Sequence, residues 1–189
     1  MKKARFTFLT VLTIAFGGLS AIAQKTELPK GVAIEKAGSG HVAHLKSLSL
    51  TQLSMDDQAR SSIPLHQMAL EVLYRFGGDA PAGPAGELKL LFRVTAGNYI
   101  FLHGQKVMLA LDNENGKGRA IIVGDTNYNS NPPKFNSVYE ETLEVSAPAE
   151  ILSRMAKANP VEIYVGPVVY KLTKDQQKKL STYFDYINP

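Results

Sequence analysis

The chain has 189 residues, with 21 Lys plus Arg against 17 Asp plus Glu and no cysteine. The lack of Cys excludes disulfides, thiol catalysis, cysteine-ligated zinc and iron–sulfur clusters, so the fold rests on packing. The formal charge of +4 overstates the basic character, because Lys2, Lys3 and Arg5 stand at the extreme N-terminus and the remaining count is 18 against 17, or +1. There is no run of like charges and no nucleic-acid-binding signature, which argues against nucleic acid as a partner.

The basic start leads into an apolar run, Phe6 to Leu19, broken by Gly17 and Gly18 and followed by the small-x-small site Ala21-Ile22-Ala23. This is the anatomy of a cleaved secretory signal peptide over residues 1–23, and the run is short for a bilayer span. The mature chain is expected to begin at Gln24, and 189 minus 23 leaves 166 residues, enough for one domain with its own core. Gln rather than Cys follows the cut, so no lipoprotein-type lipid is expected. No later segment is apolar enough for a membrane span in the mature chain. The expected location is the periplasm or the extracellular space.

Residues 24–47 are polar and punctuated by Pro29, Gly31, Gly38 and Gly40, which reads as a flexible arm before a single α+β domain over 48–189. Leu48 to Met55 alternates as a first strand, and a loop or short helix runs from Asp56 to Ser62. Leu65 to Phe76 fits a helical stripe and a strand face equally well; the strand is preferred because the sequence that follows reads as sheet. Gly77 to Gly86 is a loop by composition.

A meander then begins. Leu88 to Thr95 goes out, Gly97-Asn98 turns, and Tyr99 to His103 returns. Gly104-Gln105 turns again. Lys106 to Asp112, "NENGKG" and Arg119 to Asp125 make a longer hairpin. Symmetric closure around Asn115-Gly116 pairs residues whose numbers sum to 231, which sets Asp112 opposite Arg119 and Lys106 opposite Asp125. The stretch "TNYNSNPPKFN" reads as a long polar loop.

"SVYEETLEVS", Ser137 to Ser146, is a strand whose odd row holds Tyr139, Glu141, Leu143 and Val145. Pro148 opens a helix with the stripe Ile151, Leu152, Met155 and Ala158, which Asn159-Pro160 stops. Val161–Val165 and Val168–Leu172 form a hairpin around Gly166-Pro167. Thr173 and Gln176 make a capping box for a last helix with the stripe Leu180, Tyr183, Phe184 and Ile187. The expected class is α+β, a mostly antiparallel twisted sheet of roughly seven or eight strands with two helices near the C-terminus.

From about Leu70 to Leu180, the segments "LEVLYRFGGDAP", "LKLLFRV", "VYEE" and "ILSRMAKANPVEIYVGPVVYKLT" resemble a loose family of small exported bacterial proteins of unknown function. The resemblance implies a shared domain and carries no chemistry.

The candidates for chemistry are few. His41 and His44 in "HVAH" have helical ligand spacing, but residues three apart in an extended chain face opposite ways, and no Glu completes a zinc-protease motif. His66 stands apart and His103 falls at a turn, so no metal is expected. Ser39 beside His41 has no nucleophile elbow around it. "DNENG", Asp112 to Gly116, lacks the Glu that closes a calcium loop and suits a hairpin turn better. No cofactor is implied.

The long Asn-rich loop offers Tyr128, Asn129, Asn131 and Phe135 as ligand-binding residues, since amide and aromatic side chains can contact a protein, a peptide or a glycan. Glu141 in an apolar row must be exposed at a rim, turned out by a bulge at Glu140-Glu141, or bonded to an Arg, a Lys or a backbone N–H. On that reading a Glu141→Gln chain loses little stability. The expectation is a non-catalytic, exported protein that binds a partner. Its alternatives are a hydrolase of envelope or extracellular polymers with Glu141 and Asp125 as paired carboxylates, and a subunit whose sheet edge recruits another chain.

Overall fold

The computed structural model describes residues 27–55, 66–78, 81, 86–101, 105–111, 119–131 and 138–188. Alternation of apolar side chains makes its central strands. In β4 (His66–Phe76), Met68, Leu70, Val72, Tyr74 and Phe76 are buried, and in β5 (Glu87–Ala96) so are Leu88, Leu90, Phe92, Val94 and Ala96. A period of two places each set on one face.

Two antiparallel sheets result. The first has the order β1 (Val32–Ala37), β2 (Gly40–Ser49), β4, β5, β9 (Tyr139–Ala147), β8 (Asn127–Asn131); the second, β3 (Thr51–Met55), β11 (Val168–Lys171), β10 (Val161–Val165), β6 (Lys106–Leu111), β7 (Arg119–Asp125). The chain crosses between the sheets at two corners, because only Leu50 separates β2 from β3 and only Thr126 separates β7 from β8. Each corner is pinned: Leu50 N donates to the Met68 carbonyl at 2.8 Å, and Thr126 Oγ1 to the Gln105 carbonyl at 2.6 Å.

Both sheets and both helices feed one core. Val107, Leu109, Leu111, Val161, Ile163, Val165 and Tyr170 enter it from the second sheet. Helix α1 (Glu150–Lys157) adds Ile151, Leu152 and Met155, and helix α2 (Lys174–Ile187) adds Leu180, Tyr183 and Ile187. Each large apolar side chain so buried contributes about 1.5–3 kcal/mol. Tyr183 also donates its hydroxyl to the Ala43 carbonyl at 2.6 Å, tying α2 to β2, and burial pushes its phenol pKa well up. The Thr173–Gln176 capping box forms at 3.3 and 2.7 Å.

The class is α+β and mostly antiparallel, as the patterning implied. Several elements differ from the sequence reading. The expected single meander divides into two sheets, and the expected first strand breaks at Leu50 and serves both. The stretch read as a flexible arm holds the β1–β2 hairpin from Val32 onward, with Ala43 and Leu45 buried. Two inward side chains suffice because β2 lies against β4, and two are too few to show as alternation.

Tyr99–Phe101 forms no strand, because β4 and β9 occupy both edges of β5. Asn127–Asn131 is strand β8, not loop. In the β6–β7 hairpin Lys106 faces Asp125 as expected. Val123 is then an extra residue, so Arg119 comes opposite Leu111 and not Asp112. The helix cap is Ala149, one residue past Pro148, whose carbonyl accepts from Ile151 N at 3.0 Å. Expectations on residues 1–26, 56–65, His103, Gly104, Asp112 to Gly118 and Phe135 lie outside the described residues.

Candidate functional site

The first sheet has two contrasting faces where β5, β9 and β8 run together. On the inner face, Glu141 sits in regular register between Val94 of β5 and Ser130 of β8, with no bulge. It is 1 % exposed. Its carboxylate accepts from Ile100 N at 2.6 Å, from Phe101 N at 2.9 Å and from the Tyr128 hydroxyl at 3.0 Å.

The rim, the bulge and a Lys or Arg partner are therefore replaced by the backbone arm of the expectation. Two main-chain N–H groups converge on one carboxylate, and such charge-assisted bonds are short and about twice as strong as neutral ones. They offset the cost of taking the charge out of water. Burial pushes the Tyr128 phenol pKa up, and the carboxylate beside it adds to the effect.

The consequence is mechanical. Tyr99–Phe101 cannot pair as a strand, so its N–H groups need other acceptors: Asn98 Oδ1 accepts from Tyr99 N, and Glu141 accepts from Ile100 N and Phe101 N. Through Tyr128 the same side chain grips the edge strand β8. Tyr99 and Tyr139 pack edge to face nearby, ring centroids 4.5 Å apart. A general acid has to reach substrate, and this carboxylate is closed off by donors.

On the outer face the register sets three rows across the same strands: Leu91–Glu144–Asn127, Arg93–Thr142–Asn129 and Thr95–Glu140–Asn131. They border an open groove of about 290 Å³ lined by Leu91, Arg93, Thr142, Glu144, Asn127, Tyr128, Asn129 and Asn131. The three asparagines are exposed, because strand alternation turns them away from Tyr128 and Ser130.

The two charged residues that line the groove, Arg93 and Glu144, are paired. Lys89 Nζ lies 2.7 Å from Glu144, and that hydrogen bond raises the lysine pKa. Arg93 Nε lies 2.8 Å from Glu71, whose other oxygen bonds His44 Nε2 at 3.0 Å. The His44 Nδ1 faces Glu35 at 3.6 Å. A guanidinium has five N–H donors, so Arg93, half exposed, keeps donors for a ligand.

Of the residues singled out in the sequence, Asn129 and Asn131 therefore line one surface. Tyr128 shares the groove's strand while its hydroxyl points to the opposite face. Arg93, Asn127, Thr142 and Glu144 were missed. The signal that finds them is pairing register, which places residues from three strands in one row.

The histidines go separate ways. His41 bonds the Gly78 carbonyl at 2.9 Å and stacks on Phe76, and His66 bonds the Tyr170 hydroxyl at 2.5 Å. Among the described residues no three His, Cys, Asp or Glu side chains are grouped to hold a metal ion. None of the helices described is long and apolar enough to cross a membrane. No protein-family model, curated protein or solved structure matches the chain.

Proposed function

We propose that this is an exported, non-catalytic protein of the envelope or extracellular space that acts by binding, with the outer groove of the first sheet as its contact surface. One observation carries the reading: exposed Asn127, Asn129 and Asn131 line one open groove with Arg93 and Thr142, Asn129 standing in the same row as those two. The strand that bears them is fixed from behind by the Glu141–Tyr128 bond. A preorganised polar surface loses little freedom when it binds. The hydrolase alternative has less support, since its first carboxylate is sealed under two N–H groups and a hydroxyl.

Export is tested by N-terminal sequencing of the chain recovered outside the cytoplasm; a start at Gln24 is expected, and retention of Met1 on a cytoplasmic protein contradicts it. Binding is tested by passing envelope extract over immobilised mature chain and over an Asn127→Ala/Asn129→Ala variant. Material held by the first and released by the second supports the groove. Equal retention by both places the contact elsewhere.

A second reading has its own observation. Strand β8 is an edge of the first sheet, and its five residues, Asn127–Asn131, carry neither charge nor proline, the usual guards of an exposed edge. A chain added at that edge is a partner-binding mode of the same kind. Loss of partner binding in a Ser130→Pro variant whose groove side chains are intact would favour it.

A further inference from the structure

We infer that the groove accepts a segment of a neutral, polyhydroxylated chain, that is, a glycan without charged groups. This rests on the reading of the groove as the contact surface.

Three observations narrow the ligand class. The first is charge. The groove's cation, Arg93, is bonded to Glu71, and its anion, Glu144, is bonded to Lys89. Because each charge is already matched by an opposite one, an acidic or basic ligand gains little net attraction there, whereas a neutral ligand needs none.

The second is the donor and acceptor pattern. Asn127, Asn129 and Asn131 each offer an amide N–H₂ and a C=O, Thr142 offers a hydroxyl that does both, and Arg93 offers further N–H groups. Same-face residues on a strand stand about 6.6–6.8 Å apart and neighbouring strands about 4.7–4.9 Å apart. The wall is thus a grid of groups that each donate and accept. Sugar hydroxyls, which also do both, satisfy such a grid without leaving one side of an amide unpaired. A peptide backbone presents its donors and acceptors in fixed alternation.

The third is the lack of side-chain recesses. Leu91, the apolar residue of the floor, is only 6 % exposed, so nothing receives an apolar peptide side chain. The volume of about 290 Å³ suits a short segment of a longer chain. Among the described residues the outward side chains of β5, β9 and β8 offer no aromatic platform, so a single segment is held weakly by them, and a polymer gains by repeated engagement.

The experiment is a two-dimensional amide NMR titration of the mature chain with three separate probes: fully N-acetylated chitohexaose as a neutral glycan, hexagalacturonate as an acidic one, and an extended Gly-Ser dodecapeptide. Chitohexaose is expected to shift the amides of Arg93, Asn127, Asn129, Thr142 and Glu144, with affinity changing less than about twofold between 20 and 300 mM salt, because neutral contacts are not screened. Asn129→Ala should weaken binding at least about fivefold, the size of one lost hydrogen bond. Shifts of the same amides with hexagalacturonate or the peptide but not chitohexaose would overturn the neutral-glycan class and keep the groove. Shifts confined to another surface, or none with any probe, would overturn the groove reading as well.

Discussion

Two carboxylates on the same stretch of sheet are held in opposite ways. Glu141 faces inward and is bonded by two main-chain N–H groups and a tyrosine hydroxyl. Glu144, three residues on, faces outward and is bonded by Lys89, a long side chain that is itself partly exposed. Backbone donors do not move aside for a ligand, whereas a lysine on a four-carbon stem does. The inner carboxylate is thus a fixed clamp, and the outer one belongs to a surface that can exchange partners. One strand, β9, presents both because successive side chains point to opposite faces.

Substitutions on the two faces should separate accordingly. The largest effect is expected from Glu141→Ala, which leaves the N–H groups of Ile100 and Phe101 without their acceptor. With an unsatisfied donor costing about 1–3 kcal/mol, the loss should be about 3–5 kcal/mol by denaturant unfolding. Glu141→Gln keeps one acceptor but turns a donor toward an N–H, so about 1.5–3 kcal/mol should go. That exceeds the small change the sequence alone suggested, because main-chain partners 40 and 41 residues away were invisible there.

Next comes Glu71→Ala, which removes an acceptor shared by His44 and Arg93 at 8 % exposure. It should cost about 1–3 kcal/mol, as hydrogen bonds to charged groups do. A loss under about 0.5 kcal/mol would show that this network is only a surface pair. Tyr128→Phe, which removes the grip on β8, should cost about 1 kcal/mol, checked by the same unfolding curves.

The smallest effect is expected from Lys89→Met, within about 0.5 kcal/mol, since exposed pairs are worth little. Its pH dependence has a definite sign. The pKa of Lys89 is raised by Glu144, so the pair's contribution is present below the ordinary lysine pKa and is lost as pH rises through the raised value. The stability difference between wild type and variant should be flat from about pH 6 to 9 and vanish at the alkaline end as the lysine loses its proton. A difference that disappears between about pH 6 and 9, where both members keep their charge, would assign the effect to another group.

The sequence disclosed elements whose signals are local. Thr173 with Gln176 marked the start of α2, whereas Leu70, Val72, Tyr74 and Phe76 argued for the face of β4 no better than the same stretch argued for a helix, and the sheet-like sequence after them decided for the strand. It also put Glu141 in the inward row. What it could not show depends on neighbours. Gly97-Asn98 looks like a hairpin turn, yet Tyr99 has no edge to return to once β9 has paired with β5. The edge strand β8 has the sequence Asn-Tyr-Asn-Ser-Asn, polar on its outer row and with one large side chain inside, so composition hid a strand that β9 makes by pairing. The groove was half legible: Asn129 and Asn131 stood out, while Arg93 and Thr142 join them only through register across three strands.

The most direct test of the clamp is amide hydrogen exchange at Ile100 and Phe101. Both residues lie outside any strand, yet their N–H groups are held by Glu141 at 2.6 and 2.9 Å. In the wild-type chain they should exchange as slowly as amides of β4 and β5. In Glu141→Ala they should exchange at least about a hundredfold faster while β4 stays protected, since about 2.8 kcal/mol of lost protection corresponds to that factor. Exchange of Ile100 and Phe101 at the rate of an unstructured loop in the wild-type chain would contradict the account.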